Sequence, residues 1–144
     1  MPSFARVSPA EPGLYGTPGE VDAEVATVRA IYAAFARRDI EGMLRHVADD
    51  CEIDLPGTAE RAGRLAPYRG PDGVRQYFAD AQRIWSELTL YADDIRAASG
   101  GVVVFGHVEG RHGGEVLRTR VIWTWHLRAG KAVRVSANEL GDLD

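Results

Sequence analysis

The 144-residue sequence has one cysteine, Cys51, and one lysine, Lys131, and it contains no glycine-rich phosphate loop and no long apolar run. A single cysteine excludes an intramolecular disulfide and a cysteine-rich metal centre, and Cys51 reads as a small buried side chain on a strand. No apolar stretch approaches the roughly 18 residues that span a bilayer. The N-terminus lacks the basic flank and apolar segment of a secretory signal, so a cytoplasmic protein without a membrane partner is expected. Positive charge is scarce: 17 Lys and Arg against 21 Asp and Glu leave a net charge of −4, the opposite of a nucleic-acid-binding surface. His46, His107, His112 and His126 share no metal-ligand spacing, so no metal is expected. A serine-centred nucleophile elbow is missing as well.

What is present suits one folded domain, with 45% hydrophobic and 26% charged residues. Residues 1–19 hold Pro2, Pro9, Pro12 and Pro18 with Gly13, Gly16 and Gly19, which excludes a regular helix or a central strand. They read as an N-terminal arm, either disordered or extended along the body or a partner subunit, ahead of a single domain over 20–144. Thr17-Pro18-Gly19-Glu20 is a helix start, followed by Val21, Val25, Val28, Ile31, Tyr32 and Phe35 at helical spacing. Asp39 caps a second, short helix carrying Ile40, Met43, Leu44 and Val47. Cys51–Leu55 alternates as a strand with Cys51, Ile53 and Leu55 inward, and residues 57–69 read as a polar loop. A third helix begins at Gly70-Pro71-Asp72 and buries Val74, Tyr77, Phe78, Ala81 and Trp85. The period then changes to two, giving strands at 87–95, 102–110, 115–127 and 132–139. The expected fold is α+β, with three N-terminal helices packed on a curved, mostly antiparallel sheet that forms a cone-shaped pocket.

Phe35-Ala36-Arg37-Arg38-Asp39, Val47-Ala48-Asp49-Asp50, Tyr68-Arg69-Gly70-Pro71-Asp72-Gly73-Val74, Gly101–Gly106 and Trp125–Val133 occur in an order that resembles the SnoaL-like branch of the nuclear transport factor two-like superfamily, over about residues 22–139. That superfamily includes ketosteroid isomerases, dehydratases, epoxide hydrolases and polyketide cyclases, and also binding modules without chemistry. The resemblance implies a ligand held in the cone, no cofactor, and dimerisation through the outer sheet face. In the ketosteroid isomerase pattern, the helix tyrosine falls on Ile31, with Tyr32 one step round. The aspartate base falls on Leu55 and the proton-donating aspartate on Trp123. The last-strand aspartate of the cyclases falls on Ala137, and limonene epoxide hydrolase's last-strand acid is likewise missing.

Strand parity identifies which side chains face the cone. Leu117, Thr119, Val121, Trp123, Trp125 and Leu127 share the more apolar side of the long strand, where they meet Phe35, Phe78 and Trp85 from the helices. Two readings stand at this point, an aromatic core or an aromatic pocket for a flat apolar ligand. The pocket reading assigns Phe35, Leu55, Tyr68, Phe78, Trp85, Trp123 and Trp125 to ligand binding. On the last strand Val133, Val135, Ala137 and Glu139 share parity, which puts Glu139 at the mouth of the apolar face, where a poorly hydrated carboxyl suits a general acid or base. Tyr32 and Tyr68 are candidate hydroxyl donors to a ligand oxygen. Asp54 is a third catalytic candidate, directed inward only if a bulge flips its strand. The resulting expectation is cofactor-free proton transfer (isomerisation, dehydration, cyclisation or hydrolysis) on a small apolar cyclic or polyketide-like molecule. The alternatives are a binding module and a dimerisation domain with a filled core. A homodimer is expected through Arg118, Arg120, Ile122, Thr124 and His126 beside Val103, Phe105 and His107, a mixed surface unsuited to exposure.

Overall fold

The change of apolar period after Trp85 marks the boundary between the helical half and the sheet in the computed structural model, which describes residues 5–7 and 20–142, with side chains from Ala23 onward. Helix α1 (Glu20–Ala36) lays Val28, Ile31, Tyr32 and Phe35 against the sheet. It ends where Arg38 takes a left-handed conformation, φ 57°. There Asp39 N–H bonds to Ala34 O and Arg38 N–H to Phe35 O, which satisfies two of the helix's last carbonyls. Asp39 then caps α2 (Ile40–Leu44) by accepting from the Gly42 N–H at 2.9 Å. One residue thus closes one helix and opens the next. The proposed helix start at Thr17 lies outside the described residues.

The second helix is shorter than its apolar stripe suggests. Val47 already belongs to strand β2 (Val47–Asp54), because the Ala132 N–H bonds to the His46 carbonyl and draws the chain into the sheet. The expected loop over 57–69 contains a short helix, α3 (Pro56–Arg61), and a two-residue strand, β3 (Tyr68–Arg69). Pro56 presets the first turn of α3. Its last residue, Arg61, holds Glu115 through two hydrogen bonds of 3.2 and 2.9 Å, a partner 54 positions away in the sequence. Helix α4 (Gly70–Ile84) buries Val74, Tyr77, Phe78 and Ala81 as its spacing requires, and also Asp80.

Strands β4 (Glu87–Ala98), β5 (Gly101–His112), β6 (Glu115–Arg128) and β7 (Lys131–Asp142) form the antiparallel meander. β2 joins β7 in parallel, β3 closes that edge, and the arm residues Ala5–Val7 add β1 in parallel to β4. The seven-stranded order is β1-β4-β5-β6-β7-β2-β3. Three ladders slip. Asp93 is the extra residue in β4, while β7 holds extra residues at Val133 and Leu140. The bulge at Val133 corrects the parity count: Ala132, not Val133, shares the inner face with Val135. No helix among the described residues is long and apolar enough to cross a membrane.

Gly70 joins the two halves of the fold. Its φ is +64°, and a Cβ there would come within 2.5 Å of the Asp49 carbonyl oxygen on β2. Gly70→Ala should therefore cost about 1–3 kcal/mol through backbone strain. Urea unfolding of the variant beside wild type checks this, and Gly100→Ala, strained at φ +80° with open space around it, separates strain from contact.

Candidate functional site

The inner row of β6 builds the interior. Val121, Trp123 and Trp125 are buried, while Arg118, Arg120 and His126 lie exposed on the other side. Tyr32 descends from α1 between the two indoles, edge-on to Trp123 at 5.7 Å and to Trp125 at 5.8 Å between ring centroids. The Trp125 Nε1–H donates to the Tyr32 hydroxyl at 3.3 Å. Burial pushes the Tyr32 hydroxyl far above its ordinary pKa, against the smaller opposing effect of that bond, so Tyr32 is a neutral donor at any physiological pH.

Two adjoining cavities lie under the helices. The inner one, about 60 Å³, is bounded by Tyr32, Phe35, Cys51, Tyr77, Trp123 and Trp125 among others. The outer one, about 50 Å³, is bounded by Thr58, Tyr77, Trp85, Ala137 and Glu139 among others. Leu55, Tyr77, Leu90 and Trp123 belong to both and form the partition between them. An apolar cavity of about 150 Å³ accommodates a benzene. Each void alone is smaller than that, so a cyclic ligand fits only by displacing the partition. The Cys51 thiol in the inner wall is pushed up to about 11 by burial, with the Asp50 and Glu52 carboxylates adding to the rise. It is a neutral thiol, not a nucleophile.

The candidates named from sequence separate into groups. Phe35, Leu55, Trp123 and Trp125 line the inner cavity, and Trp85 lines the outer one. Phe78 is buried against Phe35, 5.1 Å between rings, and lines neither. Tyr68 is also withdrawn from the site, since its hydroxyl donates to Asp80 Oδ2 at 2.7 Å in the protein interior. The expectation that its tip reaches a ligand is corrected by a partner 12 residues along the chain. Asp54 pairs with Ser136 on the outer face, because the irregularity in the β2–β7 ladder lies upstream, between Val47 and Glu52. It does not reach either cavity.

Glu139 keeps the side that parity assigned. β7 continues through it, it pairs with Val121, and it borders the outer cavity. The expectation of poor hydration fails, however, because the residue is exposed at the rim. Sequence reasoning missed three polar groups. The Trp85 Nε1–H donates to Thr58 Oγ1 at 3.0 Å, so the buried hydroxyl on α3 receives the indole proton. Asp80 accepts from Arg64 Nε at 2.8 Å as well as from Tyr68, which ties the segment after α3 to α4. Only the polar face of α4 hinted at Asp80; its partners are set by the tertiary fold.

Comparison with known proteins gives the same architecture a context. A family model described as a SnoaL-like domain matches residues 28–135. The uncharacterized protein Rv0034 of Mycobacterium tuberculosis is 29% identical over 117 residues, covering 80% of this chain and 87% of its own. A crystal structure of an NTF2-like protein of unknown function from Burkholderia pseudomallei superposes with a TM-score of 0.72 at 24% identity, covering 81% of this chain and 90% of that one. TerC, co-crystallized with polyporic acid, gives 0.71 at 26% identity, covering 81% and 91%.

The Arg64 guanidinium, with help from the Tyr68 hydroxyl, holds the Asp80 carboxyl below the usual carboxylate range, against the opposing effect of burial. A depressed folded value means that the stabilisation is complete above the unfolded pKa of ~3.9 and is lost as pH falls through the folded one. Asp80→Asn should cost about 1–2 kcal/mol at pH 7, a range kept low because Arg64 approaches from solvent. The difference from wild type in urea unfolding should be constant above pH 5 and shrink below about pH 4.

Proposed function

This chain belongs to the SnoaL-like domain family, and we propose that it holds a small apolar cyclic molecule across the two cavities and moves a proton on it without a cofactor. The observation that carries this reading is the partition: Leu55, Leu90, Tyr77 and Trp123 separate two apolar voids, one lined by Tyr32 and the other by Glu139. Leucine side chains turn between rotamers at low cost, whereas the aromatic rings are fixed by their neighbours. Displacing Leu55 and Leu90 joins the voids into one slot between Trp123 and α4. Tyr32 polarises a ligand oxygen on the inner side, and the Glu139 carboxylate takes a proton on the outer side. TerC, at 26% identity, was co-crystallized with polyporic acid, which supports a ligand-holding interior.

A second reading, binding without chemistry, is favoured by the exposure of Glu139, since water at the rim competes with a ligand for the carboxylate. Hydrogen exchange at the α-carbon of 1-indanone in D2O, followed by mass spectrometry, distinguishes the two. The proton-transfer reading expects wild type to raise the exchange rate, with Glu139→Gln slower by about 10²–10⁴ and equal in affinity. Equal affinity with exchange at the buffer rate in both proteins establishes the binding module instead.

We also propose a homodimer through the outer face of the sheet. Phe105 is 42% exposed there, opposite Ile122 in the β5–β6 ladder, and an aromatic at the centre of a sheet face gains from cover. Light scattering at tens of micromolar should give the dimer mass, and Phe105→Asp should give the monomer.

A further inference from the structure

We infer that α3 (Pro56–Arg61) is a hinged lid over the mouth of the outer cavity, latched by Arg61 against Glu115, and that small apolar ligands enter by lifting it. The entry of ligands rests on the ligand-holding interior proposed above. The lid itself rests on the geometry of α3.

The inner row of β6 locates the mouth. Trp125, Trp123, Val121, Thr119 and Leu117 follow one another on that side, and the β5–β6 ladder keeps its register throughout, so Glu115 is the last of the same row. Burial falls along it, from buried Thr119 through half-buried Leu117 to exposed Glu115. Leu117 lines the outer cavity and Glu115, one step further, does not. On the facing segment Pro56, Gly57 and Thr58 line the cavity, and Arg61, one helical turn on, does not. The two charged side chains thus meet just outside the apolar void, joined by hydrogen bonds of 3.2 and 2.9 Å. The Arg61 guanidinium holds the Glu115 carboxyl below the usual carboxylate range, so the pair is ionic at neutral pH. A second tie closes beside it, where the Trp85 Nε1–H donates to Thr58 at 3.0 Å under the Arg61 guanidinium.

The helix can lift as one piece. The backbone hydrogen bonds of α3 and the turn after it run between residues 55 and 64, from Ala59 N–H to Leu55 O, Ala62 to Thr58, Gly63 to Glu60 and Arg64 to Ala59. Arg61 adds another inside the helix, its Nη1 donating to the Gly57 carbonyl at 2.8 Å. Ala59 and Ala62, which pack the segment on the core, are small and bury little area. Each end has a joint. Downstream, Gly63 takes φ +77° with open space where a side chain would stand, and the Arg64–Asp80 bond of 2.8 Å anchors the chain just beyond. Upstream, Leu55 follows Asp54, the last paired residue of β2. Leu55 also belongs to the partition, so a swing about this joint opens the mouth and shifts one of the two leucines that keep the voids apart. Lifting α3 breaks side-chain bonds and no backbone ladder, as local openings over binding sites do.

Hydrogen exchange reads the lid without a ligand. Lifting α3 frees the Trp85 indole proton, whereas Trp125 bonds to Tyr32 on α1 and is indifferent to α3. In ¹⁵N-labelled wild type the Trp85 indole N–H should exchange more slowly than a free indole and faster than Trp125. Glu115→Gln should speed Trp85 by about 1.5- to 5-fold, the range of a partly exposed ion pair, and leave Trp125 unchanged. Raising NaCl from about 20 mM to about 0.5 M should speed Trp85 in wild type and not in the variant. Stopped-flow tryptophan fluorescence with 1-indanone reads the entrance: association and dissociation should both quicken in Glu115→Gln by the factor seen in exchange, with Kd unchanged. Equal Trp85 exchange in the two proteins, or Trp85 and Trp125 accelerated together, overturns the lid. Faster Trp85 exchange beside unchanged ligand rates, or a change in one rate alone, overturns the entrance. Failure of 1-indanone to bind wild type overturns the ligand-holding interior and the entrance with it, while Trp85 exchange still decides the lid.

Discussion

An indole N–H can donate a hydrogen bond and do nothing else, so a tryptophan folded into a dry interior needs an oxygen within reach. Trp125 finds it on Tyr32 of α1, and Trp85 finds it on Thr58 of α3. The first bond fixes α1 to the sheet and the second fixes α3 to the residue that ends α4, where apolar contact alone has no preferred orientation. Trp125 sets the rotation of α1 over β6 and holds Tyr32 in the wall of the inner cavity. Trp85 holds α3 above the outer cavity, with the Arg61 guanidinium 4.9 Å over its ring. The voids between them persist because the large rings are held at their edges.

The same constraint explains the distribution of polar groups. A hydroxyl that has accepted from an indole must dispose of its own proton, and the interior provides few acceptors. The buried carboxylate of Asp80 is engaged by Arg64 and Tyr68 and lines neither cavity. The carboxylates that drive chemistry in the ketosteroid isomerase pattern are replaced by Leu55 and Trp123, which makes the cavity walls apolar and leaves its hydrogen bonding to tyrosine. Glu139 is the acid on the cavity border among the described residues. In the proposed site an exposed carboxylate at the rim and a buried tyrosine hydroxyl in the interior place the more hydrated polar group outermost.

The fold was legible because its signals are local. The change of period after Trp85, the cap at Asp39 and the alternation through Trp123 and Trp125 each depend on neighbours within a few residues. The misreadings involve partners far along the chain. Helix α3 is six residues long and relies on Glu115 and Trp85, neither of which its own sequence announces. The bulge at Val133 is fixed by how β7 meets β6, so counting along β7 alone put Val133 inside. Sequence alone leaves Tyr68 a candidate donor to a ligand because Asp80 looks like any helix-surface acid until the fold buries it. For Glu139, alternation gave the side of the sheet and could not give the distance from the rim.

The central claim is that the interior is a ligand site framed by hydrogen-bonded indoles, and the indole protons themselves report on it. In a ¹H–¹⁵N spectrum, the Trp85 and Trp125 side-chain N–H signals should exchange slowly with D2O. On titration with 1-indanone the Trp125 signal should shift, because its acceptor Tyr32 gains a partner, while both bonds remain protected. Rapid exchange of the two indole protons, or a Trp125 signal unmoved at saturating ketone, contradicts the account.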